Sequence, residues 1–164
     1  MQVVIGSEIV LFAAMIAAYL ALRAQADAWP PPGQPRLPVA VTGVNTLVLL
    51  LSGITVWQAL RAGREAHRTA CRRWMWVTLV LGSIFLLVQG SEWARLISYG
   101  LRFSSSTYAG MFYSLIGLHA LHVVAAVLIL ALVLWRGRHV YFTRARRVDL
   151  AVGHLYWTFV VAMW

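Results

Sequence analysis

The chain has no lysine, a single cysteine and only five acidic residues among its 164. Each shortage excludes something. The lone Cys71 permits no intrachain disulfide and offers no cysteine-based metal site. All five prolines lie within residues 29–38, which denies a continuous helix to that stretch and leaves the remainder of the chain unbroken by proline. There is no Gly-x-Ser-x-Gly elbow, phosphate-binding loop, dinucleotide fingerprint or zinc signature, and no internal repeat. Charge is scarce as well: 12% of residues are charged against 61% hydrophobic, with a mean hydropathy of +0.74, a balance foreign to a water-soluble domain.

What fills the chain is apolar runs. A membrane span needs roughly 20 mostly apolar residues, and runs of that kind occupy residues 3–22, 39–60, 74–93, 108–135 and 150–164. The pattern predicts an all-α integral membrane bundle of five transmembrane helices, forming a single domain over residues 1–164. The fifth run is shorter than a bilayer core requires, so either this helix is expected to end inside the membrane or the sequence stops short of the natural chain. Ala24-Gln25-Ala26 resembles a signal-peptidase site. A secretory signal, however, wants a basic start and an uncharged centre, whereas no basic residue precedes the first run and Glu8 lies within it; the run is read as a retained span.

All fourteen basic residues are arginine, giving a formal charge of +9. They fall in the successive breaks as Arg23 and Arg36; Arg61, Arg64, Arg68, Arg72 and Arg73; Arg95 and Arg102; then Arg136, Arg138, Arg144, Arg146 and Arg147. By the positive-inside rule the two rich breaks are cytoplasmic, which puts the N-terminus in the cytoplasm and the C-terminal end outside. No soluble module accompanies the charge, so nucleic acid is not an expected partner; anionic lipid headgroups are a compatible one. Trp29, Trp74, Trp93, Tyr108, Trp135 and Tyr141 sit near the ends of the runs, where amphipathic rings anchor at the interface.

Ionisable groups at membrane depth are costly and mark function by default. Glu8, with Ser7 beside it, lies less than two turns into the first run on the side assigned to the cytoplasm. A proton-related role and a structural carboxyl hydrogen-bonded to a neighbouring helix are both open for it. Gln89 and Glu92 are three apart and share a helix face, which suits a packing or capping contact with a partner helix near the outer interface. His119 and His122 share a face of the fourth run, and His154 opens the fifth. Imidazole ligates haem iron and copper, but a haem between helices needs axial groups aimed from opposite sides. Two histidines one turn apart on one helix do not form that clamp, and interhelical hydrogen bonding is the favoured reading. Gly110, Ser114 and Gly117 form a small-residue stripe suited to a close helix contact, since small residues let backbones approach in lipid.

The order of the runs carries a resemblance. Ser7-Glu8 with Phe12, Ala18 and Tyr19; Asn45-Thr46 with Leu49, Leu50, Ser52 and Gly53; Leu81-Gly82 with Phe85, Gln89, Glu92 and Trp93; Tyr108 with Phe112, Gly117, His119, Leu121, His122 and Val123; and Tyr156-Trp157 with Phe159-Val160 and Trp164 follow one another on five successive runs. Together they resemble subunit III of the haem-copper terminal oxidases, in its short, five-helix bacterial form. The chain departs from that family's pattern at Thr158 and Val161, where a His and an Asp are usual.

The resemblance implies a non-catalytic subunit of a proton-translocating cytochrome c or quinol oxidase in the bacterial inner membrane. It would pack beside subunit I, with subunit II and other respiratory subunits nearby, bind phospholipid, and sustain proton uptake, with Glu8 near the entry side. No cofactor is expected in this chain, the haems and copper belonging to subunit I. Three other readings stand beside it: an accessory subunit of a nitric-oxide reductase, a membrane cytochrome holding haem through His119 or His122, and a small transporter. The last is disfavoured because no Gly- or Pro-broken pair of helices marks a substrate site.

Overall fold

A computed structural model describes residues 2–31, 39–136 and 144–164, the side chains at 2 and 144–147 excepted. Among the described residues the chain forms five helices: α1 Gln2–Ala24, α2 Val39–Arg64, α3 Arg68–Ser98, α4 Thr107–Arg136 and α5 Arg144–Ala162. The first four are long and apolar enough to cross a membrane, and α5 contains a shorter apolar helix, Val148–Ala162. The architecture is that of an all-helical membrane bundle.

The first four helices overrun their apolar runs. α3 has 31 residues, roughly 46 Å at 1.5 Å per residue, against a hydrocarbon core of about 30 Å. Arg61, Arg64, Arg68, Arg72 and Arg73 therefore lie on helix, and the break between α2 and α3 is only residues 65–67. Charge does not end a helix, and arginine is among the better helix formers. Backbone geometry ends it. Ala66 takes a left-handed φ of 61°, which lets the His67 N–H donate back to the Ala62 carbonyl at 2.9 Å and closes the last turn of α2. α3 stops by the same device with the residue suited to it. Gly100 has φ 91°, the Leu101 N–H reaches the Leu96 carbonyl at 3.0 Å, and both leucine side chains are buried against each other's cluster. α4 opens on a capping serine, whose Ser106 Oγ accepts the Ala109 N–H at 3.1 Å.

α2, α3, α4 and α5 close a ring, each packed on the next and α5 back on α2. The ring encloses Leu49, Val56, Met75, Phe85, Val123, Leu130, Trp157 and Val160. α1 stands outside, packed chiefly on α4. At its far end Trp29 donates to Tyr19 Oη at 3.1 Å and lies edge-on to Tyr108 at 5.2 Å, pinning the end of α1 to the start of α4. At the opposite end of the bundle Leu150, entering α5, packs over Gly63 near the end of α2. Arg72 of α3 lines one groove with Trp135 of α4 there. The arginine-rich ends of α2, α3 and α4 thus share one end of the bundle. Pro32, Pro35, Pro38, Arg36, Arg138 and Tyr141 lie outside the described residues.

Candidate functional site

The polar centre of the molecule lies where α1 meets α4. Glu8 Oε2 is 2.9 Å from His122 Nε2, and His122 Nδ1 is 2.7 Å from the Leu118 carbonyl oxygen one turn back on α4. A carbonyl oxygen can only accept, so Nδ1 carries a proton and donates it to Leu118. The other edge of the ring then shares a single proton with Glu8. Either the carboxyl donates to Nε2 or the imidazolium donates to the carboxylate, and the pair is neutral overall in both forms. That is an arrangement a low-dielectric setting tolerates, because neither group is left as an unpaired charge. The surroundings are aromatic: Phe12 lies edge-on to His122 at 5.4 Å and Phe159 of α5 at 6.4 Å. The His122 side chain is 10% exposed and that of Glu8 25%. Chemically this is an acid and a base sharing one hydrogen bond, with Glu8 less than two turns from the start of α1. Ser7 takes no part: its hydroxyl donates to the Val4 carbonyl at 2.8 Å on the outer face of α1.

His119 meets a different fate. It is buried, and neither ring nitrogen has a hydrogen-bond partner. Phe85, Phe12 and Trp164 surround it, the last with its ring centre 5.0 Å away. Glu92 pairs within its own helix, accepting from Arg95 Nη1 at 3.0 Å, rather than across to another. Gln89 is buried beside it, and both line a cavity with Phe112 and Trp164. Of the four residues assigned to contacts between helices, His122 bonds across. His154 lies half-buried on α5. Gly110, Ser114 and Gly117 are each partly buried. A Cβ on Gly117 would lie 3.9 Å from the Trp93 ring of α3, an ordinary contact. Among the described residues, no three His, Cys, Asp or Glu side chains gather as a metal site would require.

The whole chain, residues 1–164, matches the family described as cytochrome c oxidase subunit III. A cytochrome c oxidase subunit 3 of Thermostichus vulcanus is 33% identical over 159 residues, covering 96% of this chain and 77% of the relative. Probable cytochrome c oxidase subunit 3 proteins of Nocardia farcinica and Mycobacterium leprae are 35% and 36% identical, each match covering 98% of this chain and 79% of the relative. The chain belongs to the cytochrome c oxidase subunit III family. It is a subunit III of a haem-copper oxidase, membrane-bound and part of an oxidase complex.

Within this subunit III fold, several polar contacts hold the ring together that the chemistry of single residues does not announce. Trp157 Nε1–H of α5 donates to Ser52 Oγ of α2 at 3.0 Å. The Thr55 and Thr78 hydroxyls meet between α2 and α3 at 2.8 Å, Asn45 Nδ2 donates to the Phe85 carbonyl at 3.1 Å, and Trp164 Nε1–H donates to Thr46 Oγ1 at 2.8 Å. The available signal is the spacing of Asn45, Ser52 and Thr55, seven and three apart on one face of an otherwise apolar run. Thr158 is exposed and Val161 half-buried. At neither position does α5 bring an ionisable group to the interior.

Proposed function

We propose that this subunit supports oxygen reduction without performing it, by packing beside subunit I, with subunit II and further respiratory subunits in the same complex, and by sustaining proton uptake through the Glu8–His122 pair. The observation that carries the reading is the 2.9 Å contact between those two side chains across α1 and α4. Such a pair holds one proton close to the start of α1, at the half of the bundle that carries the arginines of α2 and α3, the half that the positive-inside rule assigns to the cytoplasm and to proton entry. Five membrane crossings with a cytoplasmic N-terminus in a bacterial inner membrane complete the reading. Phospholipid binding has its own support. Arg72 heads a groove of about 70 Å³ walled by Trp76, Leu79, Leu134 and Trp135, a cation above an apolar trough that suits an anionic headgroup and the first carbons of its chain.

The test is Glu8→Gln beside His122→Gln in the assembled oxidase. Glu8→Gln keeps volume and hydrogen-bonding capacity and removes titration. The expected outcome is an unchanged haem spectrum and much of the initial turnover, with altered pH dependence or faster loss of activity during turnover. Complete loss of activity with assembly intact would mean a direct catalytic role. Unchanged behaviour across pH in both variants would leave the pair as packing.

A further inference from the structure

His119 is 3% exposed with both ring nitrogens unpartnered, and it lines a cavity of about 720 Å³ between α1 and the ring, walled by Phe12, Ile16, Leu50, Val161 and Trp164. A second cavity of about 320 Å³ shares Thr42, Thr46, Ile116 and Trp164 with it and ends at Gln89 and Glu92. Thr46 is already engaged, since it accepts from Trp164 and donates to the Thr42 carbonyl. Among the residues lining this mostly apolar chamber, His119 is the side chain whose polar atoms are both buried and unpartnered. Phe12 and Phe85 carry no polar atom, the Trp164 N–H is committed to Thr46, and a lipid acyl chain can neither donate nor accept, whereas buried polar groups in hydrocarbon find partners.

The occupant's chemistry follows from the walls. No arginine lines either cavity, and their one acid, Glu92, is held by Arg95, so an anionic headgroup would have no counter-charge. His119 sits roughly 18 Å along α4 from Thr107 and roughly 26 Å from Arg136, too deep for a charged headgroup. Ile16 and Leu50 are 42% and 50% exposed, so the mouth opens on the outer surface of the bundle, between α1 and α2, where α1 packs chiefly on α4. Water alone fits poorly: the volume would hold on the order of twenty molecules against few polar anchors. A largely apolar chamber of this size with one or two convergent polar groups, set between helices of a bundle, has the character of a small-molecule site.

We propose that this cavity binds a neutral, lipid-soluble molecule that presents one carbonyl or hydroxyl oxygen to His119 and lays its apolar body against Phe12, Ile16 and Leu50. The proposal rests on the membrane-subunit reading but is independent of the proton role of Glu8. Two sources supply that oxygen, a quinone-type ring and a long-chain alcohol. The test exposes the whole oxidase complex, in membranes, to a short-tailed azidoquinone or to a diazirine-bearing hexadecanol, and locates the adducts by mass spectrometry after photolysis. Either probe is expected to label peptides carrying Phe12 to Ile16 or Val161 to Trp164, and the one that does so identifies the source. His119→Phe keeps the ring and removes both nitrogens; it should lower this labelling about three- to ten-fold, the worth of one neutral hydrogen bond. His119→Gln, which still donates and accepts, should retain most of it. Absence of labelling by both probes, or labelling that survives His119→Phe undiminished, overturns the proposal. Because the readout is an adduct and not turnover, neither result bears on whether the Glu8–His122 pair serves proton uptake.

Discussion

Replacing Gly82 with alanine should loosen the bundle, although alanine is the better helix former. A Cβ on Gly82 would fall on the six-membered ring of Trp157, which is fully buried and tied by its indole N–H to Ser52. Ser52 in turn donates to the Leu49 carbonyl at 2.5 Å, so the indole cannot swing aside without breaking a chain of hydrogen bonds. Overpacking a tight core costs about 1–3 kcal/mol, and loss of the Trp157 hydrogen bond about 0.5–1.5 kcal/mol more. The added methyl returns about 1 kcal/mol of helix propensity. The net is a destabilisation of about 2 kcal/mol. The assay is the temperature at which the subunit leaves the purified oxidase, followed on native gels, with Gly90→Ala as the control. A Cβ on Gly90, in the same helix, meets nothing within 4 Å, so that variant should match the wild type or exceed it. If both variants release alike, the close approach of α3 to Trp157 is not what holds α5 in place.

Ala66→Gly should raise stability by about 1 kcal/mol by relieving the left-handed conformation of a residue with a Cβ, and Gly100→Ala should lower it by a similar amount; thermal release of the subunit reads both. Gly117→Leu, with its longer side chain directed at Trp93, should cost about 1–3 kcal/mol; unchanged assembly and thermal stability would mean that this face of α4 has room to spare. A cysteine at exposed His67 should resist an impermeant maleimide added from outside while one at exposed Ser104 reacts, the buried Cys71 staying silent; the reverse pattern would invert the proposed topology.

The number of helices was legible because hydrocarbon imposes it: four of the five apolar runs lie within one helix each, the fifth runs two residues past the end of α5, and the starts of α2 and α4 fall within one residue of the apolar boundary. The helix ends near the arginines were not. Residues 61–73 read as a connection because they are charged, yet all but three of them are helical, because the backbone satisfies its own hydrogen bonds whatever the side chains carry. Gly100 and Ser106 held the true boundary signals for α3 and α4, a glycine for a positive φ and a serine for a cap. Ala66 held none, since alanine at a left-handed position is the least readable way to stop a helix.

The candidate site was legible only in parts. Glu8 and His122 each stand out as expensive at membrane depth, but 114 positions separate them, and no periodicity within one span says which other span it faces. Ser52 and Thr55 were hidden for a different reason: hydroxyls in a span commonly satisfy themselves on a carbonyl three or four residues back, as both do here, so their spacing with Asn45 marks a shared face without specifying the second bond each makes across the bundle. The two histidines of α4 show the limit most sharply. Residues three apart on a helix differ by roughly 60° around the axis and about 4.5 Å along it, close enough to count as one face when only the sequence is in view. α1 covers that face unevenly. His122 is met by Glu8 at one edge and by its own helix carbonyl at the other, while His119, one turn away, is turned toward the chamber that α1 leaves open. The same residue type on the same stripe thus has both nitrogens engaged in one case and neither in the other. What separates them is the placement of α1, a long-range packing outcome, and for that reason the functional readings of His122 and His119 diverge only once the bundle is assembled.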